Sequence, residues 1–418
     1  MTRTRSIATG LLALGAFAVP LPTTGAAASA VVCDGHVATI VGGPGDEKLF
    51  GTPGPDVIAG LLGDDSIDGR GGNDRICGGD GADFLIGGPG NDRLFGERGG
   101  AVPVDPEDPV RNDTVLGGPG DDYLDPGNEG NRLLFAPNIV GYATAPGPVT
   151  VDLATHHSSG AAGHDTVADI NVLVVGSPFA DKLYGGPRAD LLYGNGGPDL
   201  IVGRMSNDEL RGGGGLGYFN QRDDKSPDRL IGGKGNDHIA DSGGGDSIDG
   251  GPGSDDMFGH EGARIRGGGG KDFVQYRLVS AGGRHLIDLG SGDDFLDLSV
   301  RLGRKVALTT DLKQGVLKVK RPSLRFGFRS VETIELTQPN GTWHVIGTGR
   351  AESFVTSFRV PITVRARGGD DRVEGSSQAD FIDGGGGHDR ADSGGGHDTC
   401  VSVEDQHLFN SKKCEVSS

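Results

Sequence analysis

Between Gly51 and Phe95 a single nine-residue phrase is written five times: GTPGPDVIA, GLLGDDSID, GRGGNDRIC, GGDGADFLI and GGPGNDRLF. Each copy opens on glycine (Gly51, Gly60, Gly69, Gly78, Gly87) and carries another glycine three residues later. The sixth place is aspartate: Asp56, Asp65, Asp74, Asp83 and Asp92. The eighth is a large aliphatic residue: Ile58, Ile67, Ile76, Leu85 and Leu94. So short and strict a period admits few folds. Every copy must take the same conformation and bury its one apolar side chain against its neighbours.

Glycine in the first five places lets the chain turn with φ > 0, where a Cβ would clash. The last three places suffice for a very short strand whose middle side chain points inward and whose flanks point outward. Two copies make a flattened coil, and stacked coils pair their strands in parallel. Ile58, Ile76 and Leu94 then line one inner wall, and Leu49, Ile67 and Leu85 the other. The aspartates sort into two files, Asp56, Asp74 and Asp92 on one edge and Asp65 and Asp83 on the opposite edge. Stacked strands lie about 4.8 Å apart. Carboxylates at that spacing repel by roughly 3 kcal/mol per pair at an effective dielectric of about 20. Coils without a cation work against their own fold.

The phrase closely resembles the nonapeptide GGxGxDxUx of the haemolysin-type, or RTX, calcium-binding proteins, U being a large apolar residue. The resemblance implies an all-β chain, a parallel β-roll or β-solenoid of stacked nine-residue half-coils with irregular β-rich interruptions. It implies Ca²⁺ as the ion, the sixth-place aspartate as side-chain ligand, and turn carbonyls completing the shell. Ca²⁺ suits such a set because it takes six to eight oxygens, carboxylate and carbonyl together, at flexible geometry.

The same rhythm divides the whole chain. Residues 1–30 read as a leader, 31–135 as a first repeat block, and 136–175 as an irregular β interruption. Residues 176–298 form a second block, 299–366 a β-rich segment without the repeat, 367–405 a third block and 406–418 a tail. The first block opens imperfectly, with Glu47 where aspartate belongs. It breaks at a Pro- and acid-rich insertion near Gly99 to Val110, then resumes with Asp113 and Asp122 before a copy carrying Asn131. The second has Asp181, Asp190, Asp199 and Asp208 nine apart, then Gly217 at the next place and an insertion from Asn220 to Pro227. Asp237, Asp246 and Asp255 restore the period, a one-residue deletion puts Asp272 seventeen on, and an isolated copy surrounds Asp294. The third carries Asp371, Asp380, Asp389 and Asp398. These aspartates, with those of the first block, are the expected metal ligands. In the interruptions, Val149–Leu153, Val172–Val175 and several period-two stretches between Lys305 and Val364 read as strands. Residues 299–366 are either a small β insert or ion-free coils of the same solenoid, the second being preferred.

Composition agrees. With 79 Gly but only 16 Phe, 6 Tyr and 1 Trp in 418 residues, the chain cannot fill a conventional globular core. A net charge of −19 argues against nucleic acid and anionic lipid as partners and for cations. Arg3 and Arg5, the apolar stretch Ile7 to Leu21 and Ala28-Ser29-Ala30 have the form of a cleaved Sec-type signal peptide, which predicts a secreted, extracellular protein. Gly10, Gly15 and Pro20 break that stretch too often for a membrane anchor, and no other segment is long or apolar enough to span a bilayer. RTX exoproteins typically use a C-terminal secretion signal, so the leader departs from that pattern. Export makes disulfides natural for Cys33, Cys77, Cys400 and Cys414. Of the three possible pairings, Cys33–Cys77 with Cys400–Cys414 would clamp the two ends of the rod.

Catalytic signatures are missing. There is no H-E-x-x-H and no G-x-S-x-G. Gly267 to Lys271 superficially suggests a phosphate loop, but Asp272 stands where Ser or Thr is needed. His156, His157 and His164 lack the partner spacing of a metal centre and read as solvated loop residues. The chain is therefore expected to be a non-enzymatic, monomeric calcium-binding protein of structural or adhesive role. Its expected partners are calcium ions and a cell-surface or matrix ligand. The alternative is a calcium-dependent extracellular hydrolase or enzyme accessory with its chemistry in a repeat-free segment.

Overall fold

The computed structural model describes residues 30–96, 112–127, 138–168, 172–213, 225–241, 243–260, 262–278, 285–300, 306–311, 316–319, 325–329, 331–337, 341–356, 360–403, 405–406 and 415–416. The leader and Asn131 lie outside them. Among the described residues there is no helix, and so none long and apolar enough to cross a membrane.

The chain is a parallel β-solenoid of about 15 turns. Each x-U-x triplet forms a strand such as Ser66–Asp68 or Phe84–Ile86, whose middle residue is buried and whose flanks are half-buried. Successive strands alternate between two sheets. In the first, Ile58 is in register with Ile76, and Ile76 with Leu94. In the second, Leu49 is in register with Ile67, and Ile67 with Leu85. The apolar file closes completely: Ile58, Ile67, Ile76, Leu85, Leu94 and Leu124 have no exposed surface. The rod is as thick as one aliphatic side chain from each wall, so a chain poor in large apolar residues can fill it.

Insertions leave the register untouched. Leu85 pairs with Val115 and Leu94 with Leu124 across the acidic insertion, just as the uninterrupted coils pair. The interruption at 136–175 continues both sheets. Asn138–Gly141 and Val172–Val175 stack in parallel in the second sheet. In the first, the chain doubles back: Val149–Asp152 pairs antiparallel with His157–Gly160, which bends into Thr166–Val167. That last strand joins Tyr123–Asp125 in parallel, while Val149–Asp152 joins Lys182–Tyr184 in parallel. The same S-shaped detour recurs later. Val316–Val319 runs antiparallel to both Val306–Asp311 and Arg325–Arg329, which join Gly341–Ile346 and His285–Ser291 in parallel. The segment 299–366 is thus part of the solenoid and carries an antiparallel insert.

Towards this second detour the coil widens. Phe273–Leu278 and Phe295–Val300 pair over six residues, and Val274, Tyr276, Leu278, Leu296 and Leu298 all point inward. Period-two alternation replaces the single buried residue of the short repeat. Trp343 and Phe354 fill the core beyond.

At the amino-terminal end the hairpin Val32–Cys33 with His36–Val37 is tied to the rod by a disulfide from Cys33 to Cys77, Cα atoms 5.7 Å apart. Its turn residue Asp34 accepts from Nε of Arg75 and Arg93, at 3.2 and 2.7 Å. Cys400 is also disulfide-bonded; its expected partner Cys414 lies outside the described residues.

Candidate metal site

The first six residues of each repeat form the corner between the two sheets. In the corners that follow the common pattern, the second and fourth residues take positive φ, as Gly88 (+100°) and Gly90 (+154°) do. Glycine is needed at the fourth place because coils touch backbone to backbone there: a Cβ on Gly90 would run into the carbonyl of Gly72. The first place is glycine for a different reason. A Cβ on Gly69 would meet Oδ2 of Asp74 and stand 2.7 Å from the carbonyl oxygen of Gly87 in the next coil. On Gly87 it would meet Oδ2 of Asp92 and the carbonyl of Gly117 at 2.6 Å. Such first-place glycines keep clear a point on which a carboxylate oxygen and a carbonyl from the next coil converge; at Gly78 and Gly117 the nearest atoms are those of the carboxylate alone.

The sixth-place carboxylate has two differently employed oxygens. Oδ1 accepts the backbone N–H of the sixth-place residue one coil earlier, as from Asp56 to Asp74, Asp65 to Asp83 and Asp74 to Asp92, all 2.8 Å. Oδ2 is buried and accepts no hydrogen bond in Asp65, Asp74, Asp83, Asp92 and Asp122, in Asp208, Asp237, Asp255, Asp272 and Asp294, and in Asp371. An orphaned buried carboxylate oxygen costs free energy until a donor or cation reaches it. Burial pushes the carboxyls of Asp65, Asp74, Asp255, Asp272 and Asp294 up to about 6. Those of Asp83, Asp92 and Asp371 rise to about 7, and those of Asp122 and Asp208 to about 8. The donated N–H pulls the other way and neighbouring file carboxylates add to the rise. Asp246 is raised too, by burial and by Asp241 beside it.

These bonds lay out the two files. On the first edge Asp56, Asp74, Asp92 and Asp122 lead to Asp165; later Asp181, Asp199, Asp228 and Asp246 are linked, and then Asp380 and Asp398. On the second edge Glu47, Asp65, Asp83 and Asp113 lead to Asn138. Asp190, Asp208, Asp237, Asp255, Asp272 and Asp294 follow, ending on Glu332, and Glu352 leads to Asp371 and Asp389. Every aspartate expected from the repeat stands in one of these files. Counting by nines does not reach Asp165, Asn138, Glu332 or Glu352, and it reaches Asp228 only backwards, nine residues before Asp237. Asp228, rather than Gly217, stands next after Asp199 on the first edge. The signal that finds it is local: Asp228-Arg229-Leu230 repeats the acid-x-aliphatic triplet, as do Asp165-Thr166-Val167 and Glu332-Thr333-Ile334.

Among the described residues no three His, Cys, Asp or Glu side chains come together; His157 and His164 are exposed. A cation at the corners must therefore draw most of its shell from backbone carbonyls. Carboxylate and carbonyl oxygens without nitrogen or sulfur suit a hard ion of high coordination number, and Ca²⁺ fits that donor set.

Stacked short coils with carboxylate files along both edges define a parallel β-roll of the ion-binding kind. The family model for the RTX calcium-binding nonapeptide repeat (4 copies) matches residues 41–76, 68–100, 111–133, 175–217, 227–263 and 366–400. The chain is an RTX-repeat protein, and its repeats are calcium-binding motifs. No curated protein matches it.

Proposed function

We propose that this chain is an exported structural or adhesive β-roll that acquires its rod shape by binding extracellular Ca²⁺. The observation that carries the reading is the row of buried sixth-place Oδ2 atoms that accept no hydrogen bond, with a carbonyl of the next coil converging on the same point at Asp65, Asp74, Asp92, Asp208, Asp237, Asp255 and Asp272. Without a divalent ion these carboxylates repel along each edge; with it they become the ties between coils. In this reading the side-chain ligands are file aspartates such as Asp65, Asp74, Asp83 and Asp92, and turn carbonyls supply the remaining oxygens. Folding and binding are then one event, because a ligand that binds only the folded chain stabilises it by mass action. Extracellular calcium modules commonly bind at about 10⁻⁴–10⁻³ M. The leader and the disulfide from Cys33 support an exported protein, and the net charge of −19 supports cations as its partners.

Far-ultraviolet circular dichroism of the metal-free chain, titrated with Ca²⁺, tests this. The β signal is expected to grow together with a blue shift of the emission of Trp343, the only tryptophan and a buried one. Identical spectra with and without Ca²⁺ would sink the reading.

A further inference from the structure

The corners are of two kinds, and the sixth-place acid does not distinguish them. In open corners the second-place residue has positive φ, including non-glycines such as Leu61 (+89°), Arg70 (+73°) and Arg204 (+80°). Its N–H then points along the stack, as from Gly88 to the Gly117 carbonyl at 2.9 Å. In closed corners the second residue is outside that region, and its N–H donates back to the carboxylate of its own repeat. Thr52 donates to Oδ2 of Asp56 from both N–H (2.6 Å) and hydroxyl (2.9 Å). Ser177 reaches Oδ2 of Asp181 with its N–H (2.5 Å) and Oδ1 with its hydroxyl (2.7 Å). Ser376 does the same to Asp380, at 2.7 and 3.0 Å. The N–H groups of Gly43, Gly186 and Thr348 close in the same way onto Glu47, Asp190 and Glu352.

Closed corners are not scattered. Asp56, Asp181 and Asp380 are the first acids of their runs on the first edge. In the coils before Asp181 and Asp380 the matching place is held by Val149 and Ile362, each preceded by a proline (Pro148, Pro361), and their N–H groups donate to the new carboxylate. Glu47 and Asp190 open runs on the second edge, whereas Glu352 follows Glu332, which stands at the matching place one coil earlier. A first corner has no acidic corner beneath it with which to share an ion.

We propose that the Thr52–Asp56, Ser177–Asp181 and Ser376–Asp380 corners are ion-free end caps. In each, the second-place N–H occupies the Oδ2 that elsewhere faces Ca²⁺, and the hydroxyl adds a second bond to the same carboxylate. Calcium is thereby bound in three separate runs, each starting one coil after its cap. The inference rests on the calcium reading above and deepens it, because it takes Asp56, Asp181 and Asp380 out of the ligand set.

The test counts bound Ca²⁺ per full-length chain by equilibrium dialysis. The triple variant Asp56→Asn, Asp181→Asn, Asp380→Asn is expected to bind as many ions as the wild type. The triple variant Asp74→Asn, Asp208→Asn, Asp371→Asn, in open corners, is expected to lose at least one for each carboxylate removed. An equal loss in both variants overturns the inference. If the cap variant does not fold, Thr52→Ala, Ser177→Ala and Ser376→Ala, which keep every carboxylate, decide it. A full ion count with a lowered melting temperature supports caps, and a reduced count overturns them. A wild-type chain that takes up no Ca²⁺ removes the calcium reading and this inference together.

Discussion

The backbone N–H of Asp56 donates to Oδ1 of Asp74, eighteen residues on, at 2.8 Å. Repeated from coil to coil, that bond orients each carboxylate within the folded stack. One oxygen is committed to the stack, the other is aimed at the corner. Stacking the coils and aiming an oxygen at the cation are therefore the same step.

The two roles of the carboxylate predict what an amide does in its place. Asn138 already shows it: its Oδ1 accepts from Asp113, while Nδ2 donates to the carbonyls of Pro126 and Gly127 at 2.6 and 2.9 Å. The amide supplies the hydrogen that the carbonyls need, so no ion is required there. Asn138→Asp is expected to add Ca²⁺ uptake at this corner, read as a higher ion count. A count unchanged from wild type would refute it.

Glycine at the first place is expected to be intolerant even of alanine. In Gly87→Ala the new Cβ enters the space between Asp92 Oδ2 and the Gly117 carbonyl. The loaded protein is expected to lose stability by about 1–3 kcal/mol and to bind Ca²⁺ more weakly. Thermal melts at several Ca²⁺ concentrations check both. Gly386→Ala, at a third-place glycine where a Cβ meets nothing, is the control expected to melt like the wild type.

Acid is expected to replace calcium in part. The folded, metal-free carboxyls titrate at about 6 for Asp74, about 7 for Asp92 and about 8 for Asp208, above the ordinary 3.8. The folded state therefore holds more protons than the unfolded chain, and stability falls as pH rises. The contribution is complete below about pH 4 and is lost progressively up to about pH 8. Metal-free protein at about pH 4.5 is expected to show more β signal than at pH 8, whereas Ca²⁺ affinity rises over the same interval. Equal signal at both pH values in the absence of metal would contradict the titration.

Breaking the disulfide is expected to loosen the amino-terminal end specifically. The Cys33–Cys77 bond spans 44 residues, and removing such a closure costs about 2–4 kcal/mol. The ion pairs of Asp34 with Arg75 and Arg93 are half-exposed and contribute at most about 1 kcal/mol each. In Cys33→Ser/Cys77→Ser, limited proteolysis is expected to start among the first coils while the later ones resist. Cleavage distributed evenly along the rod would argue against a clamp.

Much of this molecule is legible because its period is local. Ile58, Ile76 and Leu94 declare one wall and Asp65 with Asp83 one file, since each repeat finds its partner at a fixed distance. Legibility fails where contact order rises. Nothing in the sequence around Val149 announces that His157–Gly160 will reverse and that Thr166–Val167 will meet Tyr123–Asp125. Asp228 escapes a forward count from Asp208 because the intervening insertion has no fixed length, although it lies nine residues before Asp237. The closed corners escape it for another reason. Asp56 and Asp74 occupy identical places, and the corners before them, Thr52-Pro53-Gly54-Pro55 against Arg70-Gly71-Gly72-Asn73, separate them through the backbone conformation each adopts.

Leu85 meets Val115 across an insertion with the same alignment that brings Ile67 to Leu85. A departure of the chain at a corner returns to the identical rung, however many residues were spent outside. The 96/112 corner is therefore a splice point at which foreign peptide, a fluorophore or a second domain could be mounted on the shaft, with spacing along it set by the choice of rung.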